Sequence, residues 1–188
     1  YSATGLPTGV TINPTTGVIS GTATADRTAS SVVVTATDGG NLSITQSFNL
    51  AVVSAPTVSS FTVADSTGTT TLGKSGEALS FVVTLSEAVT TTAGLTAHFS
   101  VNGQDVTATS AAVTGANTIT FTGASVPGTG NGTAITLTSL AADSGTIRGN
   151  VSSQDMVVPA AGAIAYAGYT VDNTAPTVTS TTFNVAEN

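Results

Sequence analysis

Apolar residues recur at every second position along several stretches of this chain, and this period restricts its fold more than any other feature. In residues 78–85 (ALSFVVTL), every second residue from Leu79 to Leu85 is apolar, with Ser80 and Thr84 on the opposite face, and residues 94–101 (GLTAHFSV) show the same period from Leu95 to Val101. A β-strand turns successive side chains to opposite faces, so both stretches are predicted to be half-buried strands. No stretch carries a helical period. Short strands separated by turn clusters such as Asn102-Gly103 predict an all-β chain built from β-sandwiches.

The composition allows a buried core and excludes two classes of partner. Apolar residues make up 40% of the chain, which is enough for a core, while the formal net charge is −7 with only three Lys and Arg residues. Binding to nucleic acid or to an anionic membrane surface requires clusters of basic side chains, so neither is expected. No apolar run approaches the length of a membrane span, so membrane insertion is not expected either. Strands rich in Thr and Ser, with few charges, are typical of an extracellular or cell-surface protein.

A repeated phrase indicates the domain organisation. Residues 54–65 (SAPTVSSFTVAD) return in altered form as residues 174–187 (TAPTVTSTTFNVAE). In both copies Ala-Pro-Thr-Val is followed by a hydroxyl-rich stretch and then by Phe-x-Val-Ala and an acid. A repeat of this kind marks tandem modules, and proline suits the linker because it cannot donate to a strand ladder. We therefore predict a complete Ig-like β-sandwich at 54–175 and the first strand of a following module at 176–188.

The residues before the first copy are too few for a whole sandwich of about 100 residues. Residues 1–53 are predicted to form the C-terminal part of a sandwich that lacks its first strands. Their phrases YSATGLPTGVTIN, TGVISGTAT, VTATDGG and FNLAV resemble the putative-immunoglobulin and dystroglycan-type cadherin-like domains of bacterial surface proteins. Residues 54–175 resemble the Ig-like repeats of large bacterial adhesins through LSEAV, GTIRGN and VDNTAPTV. The resemblance implies tandem Ig-like and cadherin-like sandwiches joined by short Pro-containing linkers, often stiffened by Ca²⁺ at the junctions.

Catalytic chemistry has no support in the sequence, and we predict that the protein is not an enzyme. Cysteine is absent, which removes disulfides, thiolate metal sites and a cysteine nucleophile. The single histidine, His98, is out of phase with the apolar residues around it and is expected to face solvent without an orienting partner. Lys74 is interpreted as a solvated loop residue.

Four residues are candidate Ca²⁺ ligands, because Ca²⁺ takes six to eight oxygen ligands and the loops at sandwich ends collect carboxylates and carbonyls. Asp38 ends a strand in TATDGGN, where cadherin-like domains carry an acidic ligand. Asp172 and the adjacent Asn173 lie in the linker phrase VDNTAP, and Glu187 resembles the acid near the start of cadherin repeats. An Asx turn or a solvated carboxylate is an equally weighted interpretation of each acid.

The junction near residue 54 departs from the adhesin pattern. Ser54 stands where the linker acid is expected, and Arg148 stands where the family has an acid before Gly-Asn. We hypothesise that Arg148 replaces an ion by pairing with Glu87. Ca²⁺ is therefore expected near Asp172 but not near Ser54.

The sequence predicts a structural spacer in an extracellular bacterial surface protein or filament. Two alternatives stay open: a self-assembling filament or surface-layer subunit, and a ligand-binding adhesin module that recognises a surface receptor or a glycan. Aromatic residues are 5% of the chain with no Trp, which does not favour a carbohydrate site. The expected partners are neighbouring modules, or copies of the chain whose C-terminal strand, led by Phe183 and Val185, adds to the incomplete 1–53 module.

Overall fold

The protein folds into β-strands joined by turns, as the alternation predicts. A computed structural model describes residues 1–68 and 72–180. Within these ranges no helix is long and apolar enough to cross a bilayer. The chain divides into two compact units. Unit 1 runs from Tyr1 to Ala55 and includes the short segment Val151–Gln154, and unit 2 runs from Pro56 to Asn150 and continues from Asp155.

Unit 1 consists of a three-stranded sheet and a separate hairpin. Its strands are β1 (Ser2–Thr4), β2 (Val10–Ile12), β3 (Ile19–Gly21), β4 (Arg27–Thr37) and β5 (Ser43–Val52). The sheet has the antiparallel order β1-β4-β5, so β5 lies at an edge, and β2 pairs with β3.

The sheet of unit 1 buries little. Val32 on β4 is fully buried, and Phe48 lies directly opposite it on β5 but remains 40% exposed. Ile44, four residues along β5 and therefore on the same face, is 74% exposed. This unit therefore has an apolar face that it covers only in part.

Unit 2 contains ten strands in the described ranges. They are β6 (Val58–Asp65), β7 (Leu72–Gly73), β8 (Ala78–Thr91), β9 (Leu95–Val101), β10 (Gln104–Ser110), β11 (Thr114–Ser125), β12 (Ile135–Ala142), β13 (Ile147–Gly149), β14 (Ile164–Tyr166) and β15 (Thr170–Val171). One layer places β6 and β13 on one side of β8 and β11 on the other, and the second layer has the order β10-β9-β12-β14. The layers join where β10 meets β11, and β7 pairs in parallel with β15.

Aromatic rings fill the space between the two layers. Phe81 on β8 and Phe99 on β9 stack face to face, with centroids 3.8 Å apart and ring planes 7° apart. Phe61 on β6 and Phe121 on β11 contact the ring of Phe99 from two sides, at centroid distances of 5.3 and 6.5 Å. Because Phe99 contacts three strands of the opposite layer, it is the centre of the core.

The alternation of the sequence corresponds to this burial. Along β8 and β9 the predicted inward residues are at most 2% exposed: Leu79, Phe81, Val83, Leu85, Leu95, Ala97, Phe99 and Val101. The predicted turn between β9 and β10 is also present. Asn102 and Gly103 have φ values of 51° and 82°, as a two-residue hairpin with two left-handed positions requires. The all-β prediction is confirmed.

Truncation of the central ring should destabilise unit 2 severely. Phe99→Ala removes a fully buried ring that contacts three others, so we expect a loss of about 3–5 kcal/mol in the free energy of unfolding. Urea denaturation followed by circular dichroism measures this loss. Phe48→Ala, the same change at a 40% exposed ring of unit 1, is the matched control and should cost clearly less. Equal losses would contradict this placement of the core.

Candidate functional site

Unit 2 has a tightly bonded group of loops at the end where the chain leaves it. We call this group the exit cluster: residues 73–77, 127–131 and 172–174. Asn173 is the residue that holds it together. Its Oδ1 accepts a hydrogen bond from the backbone N–H of Ser75 at 2.7 Å, and its Nδ2 donates to the carbonyl oxygens of Pro127 at 3.1 Å and Gly130 at 2.9 Å.

Asn131 completes the exit cluster from the opposite loop. Its Oδ1 accepts a hydrogen bond from the backbone N–H of Asn173 at 2.7 Å, and its amide donates to the hydroxyl of Thr174. Three loops distant in sequence are thus joined by neutral amides. Asn173 was predicted as a metal ligand from its place in the linker phrase, while the sequence analysis did not single out Asn131. The one sequence feature that could have indicated a role for Asn131 is its position between two glycines in the Gly-rich turn 127–133.

Asp172 lines an open cleft within the exit cluster. The cleft is lined by Gly73, Lys74, Glu77 and Asp172. The Oδ1 of Asp172 accepts a hydrogen bond from the backbone N–H of Thr174 at 2.9 Å, which is an Asx turn. The Oε2 of Glu77 accepts from the backbone N–H of Lys74 at 3.0 Å, and the Nζ of Lys74 lies 3.8 Å from Oε1 of Glu77. The cleft thus holds two carboxylates and one ammonium group.

Tyr169 lies behind this cleft and closes the core at the same end. Its side chain is fully buried. A Cβ added at Gly73 would stand only 1.8 Å from the hydroxyl oxygen of Tyr169, so this position on β7 requires glycine. Burial raises the pKa of Tyr169 to about 12, and the negative charges of Asp65 and Glu77 add to the increase. Tyr169 was not among the residues singled out from the sequence.

The chain enters unit 2 at the end opposite the exit cluster. The carbonyl oxygen of Pro56 accepts a hydrogen bond from the N–H of Val157 at 3.2 Å. The N–H of Thr57 donates to Oγ of Ser86 at 3.0 Å, and the N–H of Ser86 donates to the carbonyl of Thr57 at 2.9 Å. From here β6 runs antiparallel to β8, from the pair Val58–Leu85 to the pair Asp65–Leu79. With a rise of about 3.3 Å per residue, the eight residues of β6 separate the two ends of unit 2 by roughly 25 Å.

Asp38 forms the turn between β4 and β5 of unit 1. Its Oδ1 accepts hydrogen bonds from the N–H groups of Gly40 at 2.8 Å and Leu42 at 2.9 Å. These bonds form an Asx turn, which was one of the interpretations of Asp38 besides a metal ligand.

The four predicted Ca²⁺ ligands thus have different settings. Asp38 belongs to unit 1, Asp172 and Asn173 belong to unit 2, and Glu187 lies outside the described residues. Within the ranges that the structure describes, no group of three or more His, Cys, Asp or Glu side chains is arranged to hold a metal. A Ca²⁺ site at any of these positions stays a prediction.

Arg148 forms an ion pair with a residue that the sequence analysis did not consider. Its Nη1 lies 3.1 Å from Oδ1 of Asp155, and both side chains are more than half exposed. The backbones of the same two residues form a β-bridge. The hypothesis of an Arg148 pair with Glu87 overlooked Asp155, because nothing in the sequence places the loop after β13 beside that strand. A pair this exposed contributes about 0–1 kcal/mol.

His98 has an orienting partner, contrary to the sequence analysis. As predicted, it lies on the outer face of β9, but its Nδ1 is 3.0 Å from Oδ2 of Asp105 and 3.3 Å from Oγ1 of Thr107. The hairpin turn at Asn102-Gly103 sets this register, pairing His98 with Thr107 and Ser100 with Asp105. Counting residue pairs outward from the Asn102-Gly103 turn would have predicted that His98 and Asp105 lie close together. The pair is open to solvent on a flat strand surface, and no cleft among the described pockets includes it.

The buried hydroxyl of Tyr169 predicts a loss of stability at high pH. Unfolding returns its pKa from about 12 to the ordinary tyrosine value of 10.0, so the unfolded chain ionises first. The stabilising contribution is complete below pH 10 and is lost as the pH rises towards 12. We expect the unfolding free energy to fall by up to roughly 1.4 kcal/mol per pH unit in this window.

Tyr169→Phe should remove this alkaline slope, and Tyr166→Phe serves as the matched control that retains it. Urea denaturation at a series of pH values from 8 to 12 measures both. An unchanged slope in Tyr169→Phe would show that another group causes the alkaline loss.

Comparison with known proteins assigns part of the chain to a described family. No curated protein and no solved structure matches the chain. The matched residues end just before the boundary between the two units. Residues 1–53 match the family model described as "Putative Ig domain", so the chain carries an immunoglobulin-like repeat in its first unit.

Proposed function

We propose that the protein is a spacer segment of an extracellular surface protein or filament, in which consecutive β-sandwich modules transmit tension and set length without catalysis. The observation that carries this proposal is the position of the two ends of unit 2. The chain enters at Pro56 and Thr57, next to Ser86, and leaves at the exit cluster, at the far end of β6. A module with its ends at opposite poles adds its full length to a series of modules, whereas one with adjacent ends would add almost none.

The strand pairing at the exit suits a module under tension. β7 and β15 are parallel, with Thr170 opposite Leu72 and Val171 opposite Gly73, and the N–H of Asp172 donates to the carbonyl of Gly73 at 2.9 Å. Tension pulls β7 towards the start of the unit and β15 towards its end. Parallel strands pulled in this way must slide past each other, so their hydrogen bonds are loaded together and not one after another. The four hydrogen bonds of Asn173 then add further resistance at the same point.

An extracellular location is supported by composition and by family. Modules of the Ig-like kind are often extracellular, and residues 1–53 match such a model. With three Lys and Arg residues in the whole chain, few bonds are open to trypsin-like proteases. The absence of cysteine leaves stability to core burial, which a sandwich of the size of unit 2 can supply.

Single-molecule pulling of the whole chain, held at Tyr1 and Asn188, tests the mechanical role. We expect one main unfolding event whose gain in contour length fits unit 2, on the order of 400 Å for a segment of its length. Asn173→Ala should lower the force of this event, because Ser75, Pro127 and Gly130 lose their partner, while the gain in length stays the same.

Asn117→Ala, at an exposed position on β11, is the matched control and should leave the force unchanged. If unit 2 opens without a measurable force peak, or if both variants open at the same force as the original chain, the tension-bearing role is wrong.

We also propose that unit 2 binds Ca²⁺ at its exit end. The fit is partial: the cleft offers carboxylates from Asp172 and Glu77, but Lys74 competes for Glu77, and Asn173 already uses its amide within the exit cluster. Hard oxygen donors of this kind suit Ca²⁺, which would need further oxygens from water or from the chain after residue 174. Bound Ca²⁺ would supply a positive charge that draws these oxygens together and limits bending.

Calorimetric titration tests the binding of Ca²⁺. We expect Ca²⁺ to bind with a dissociation constant of about 10⁻⁴–10⁻³ M, as is common for extracellular modules, and Asp172→Ala to abolish the binding. Asp105→Ala, another exposed carboxylate of unit 2, should leave the titration unchanged. Binding that survives Asp172→Ala would contradict a site at this position. Binding lost on changing Glu87 or Asp155 would place the ion away from Asp172, against the proposal.

A further inference from the structure

Strand β5 presents a long unpaired edge in unit 1. It has ten residues, Ser43–Val52, and among the residues that the structure describes its only partner strand is β4. The sequence SITQSFNLAV contains no charged residue and no proline. Proteins commonly protect exposed edges with lysine, proline or a bulge, since a bare edge pairs readily with another strand. β5 carries neither lysine nor proline.

The apolar face of the same strand is also open. Ile44 is 74% exposed and Phe48 is 40% exposed, and a groove lined by Tyr1, Ala36, Leu42 and Ile44 continues this surface. Leu42 and Tyr1 are themselves 75% and 51% exposed. Apolar side chains clustered beside an open backbone edge mark a site for an added strand, because such a strand finds both hydrogen-bond partners and apolar contacts there.

The chain itself contains a segment of matching composition. Its first copy of the repeated phrase is β6, in which Phe61 and Val63 are 3% and 1% exposed and the backbone pairs with β8. The second copy carries the same pattern in Phe183 and Val185, within a stretch from 177 to 185 that has no charged residue. Residues 181–188 lie outside the described structure. Because the first copy forms a buried strand, the second copy has a composition suited to form a strand against another exposed apolar surface.

We propose that residues 177–185 of one copy of the chain add as a strand to the β5 edge of a second copy, with Phe183 and Val185 on the face that carries Ile44 and Phe48. Donor and acceptor are different surfaces, so each chain can give one strand and receive one. A contact of this heterologous type continues from copy to copy and builds an open filament. This inference goes beyond the spacer role, since a spacer that stays monomeric would satisfy that role equally well.

Complementation of two variants tests the proposal. The donor variant is Phe183→Ser with Val185→Ser, and the acceptor variant is Ile44→Lys, which places a charge at a highly exposed position on the apolar face. Light scattering after size exclusion should show that the original chain grows from 18.2 kDa to species of many copies as its concentration rises towards about 1 mM. Each variant alone should stay at the monomer mass. Their mixture should form a heterodimer and stop there, because only one functional donor and one functional acceptor remain.

Thr45→Lys is the matched control, since it adds the same charge to the same strand on its opposite face. It should assemble like the original chain. Formation of the heterodimer also demonstrates that both variants are folded. The proposal is overturned if the original chain stays monomeric at 1 mM, if the mixture does not associate, or if the control loses assembly as Ile44→Lys does. Assembly that survives in the donor variant would overturn it too, because it would indicate β5 pairing with β5.

Discussion

The stack of Phe81 on Phe99 is the contact on which the rest of unit 2 depends. It joins the two layers of the sandwich at a centroid distance of 3.8 Å, and Phe61 and Phe121 complete the same cluster. Because Phe81 and Phe61 lie on adjacent antiparallel strands, the cluster also fixes the position of β6 against β8. The course of β6 in turn sets the distance between the point where the chain enters the unit and the exit cluster. A core contact therefore determines the geometry proposed to be functional.

The two units differ in how much of their apolar surface they bury. Unit 2 encloses more than twenty hydrophobic side chains in one cluster, whereas the buried residues in the described part of unit 1 are Pro7 and Val32. Hydrophobic stabilisation scales with the apolar area removed from water, at about 25 cal/mol per Å². Unit 1 therefore gains far less from folding than unit 2. An added strand would contribute most to the unit that has most apolar surface left to bury.

Periodicity was enough to predict the strands and the inward residues of β8 and β9, since each depends only on local alternation. The hairpin at Asn102-Gly103 was equally local, and its register would also have given the contact of His98 with Asp105. Other contacts could not be predicted in this way. The bonds of Asn173 to Ser75, Pro127 and Gly130 depend on how distant loops meet in space. The pairing of Arg148 with Asp155 depends on how the chain after β13 folds back on that strand. A single sequence contains no signal for such encounters. Tyr169 was missed for the same reason, because its burial depends on the glycine of β7.

The chemistry of the exit cluster limits what an ion could do there. Asn173 and Asn131 hold the three loops with neutral amides, whose hydrogen bonds depend little on pH or salt, so the end of unit 2 is closed by the protein's own groups. The side chain of Asp172 is exposed, and its carboxylate accepts a hydrogen bond from the N–H of Thr174, two residues along the chain. An ion bound at Asp172 would thus have little to add to the folding of unit 2. Its effect would fall on the residues that follow Thr174, by fixing the direction in which the chain continues. Under the proposal, stability of the module and stiffness of the linker are then separate properties: burial and amides would carry the first, and an ion at the carboxylate of Asp172 would carry the second.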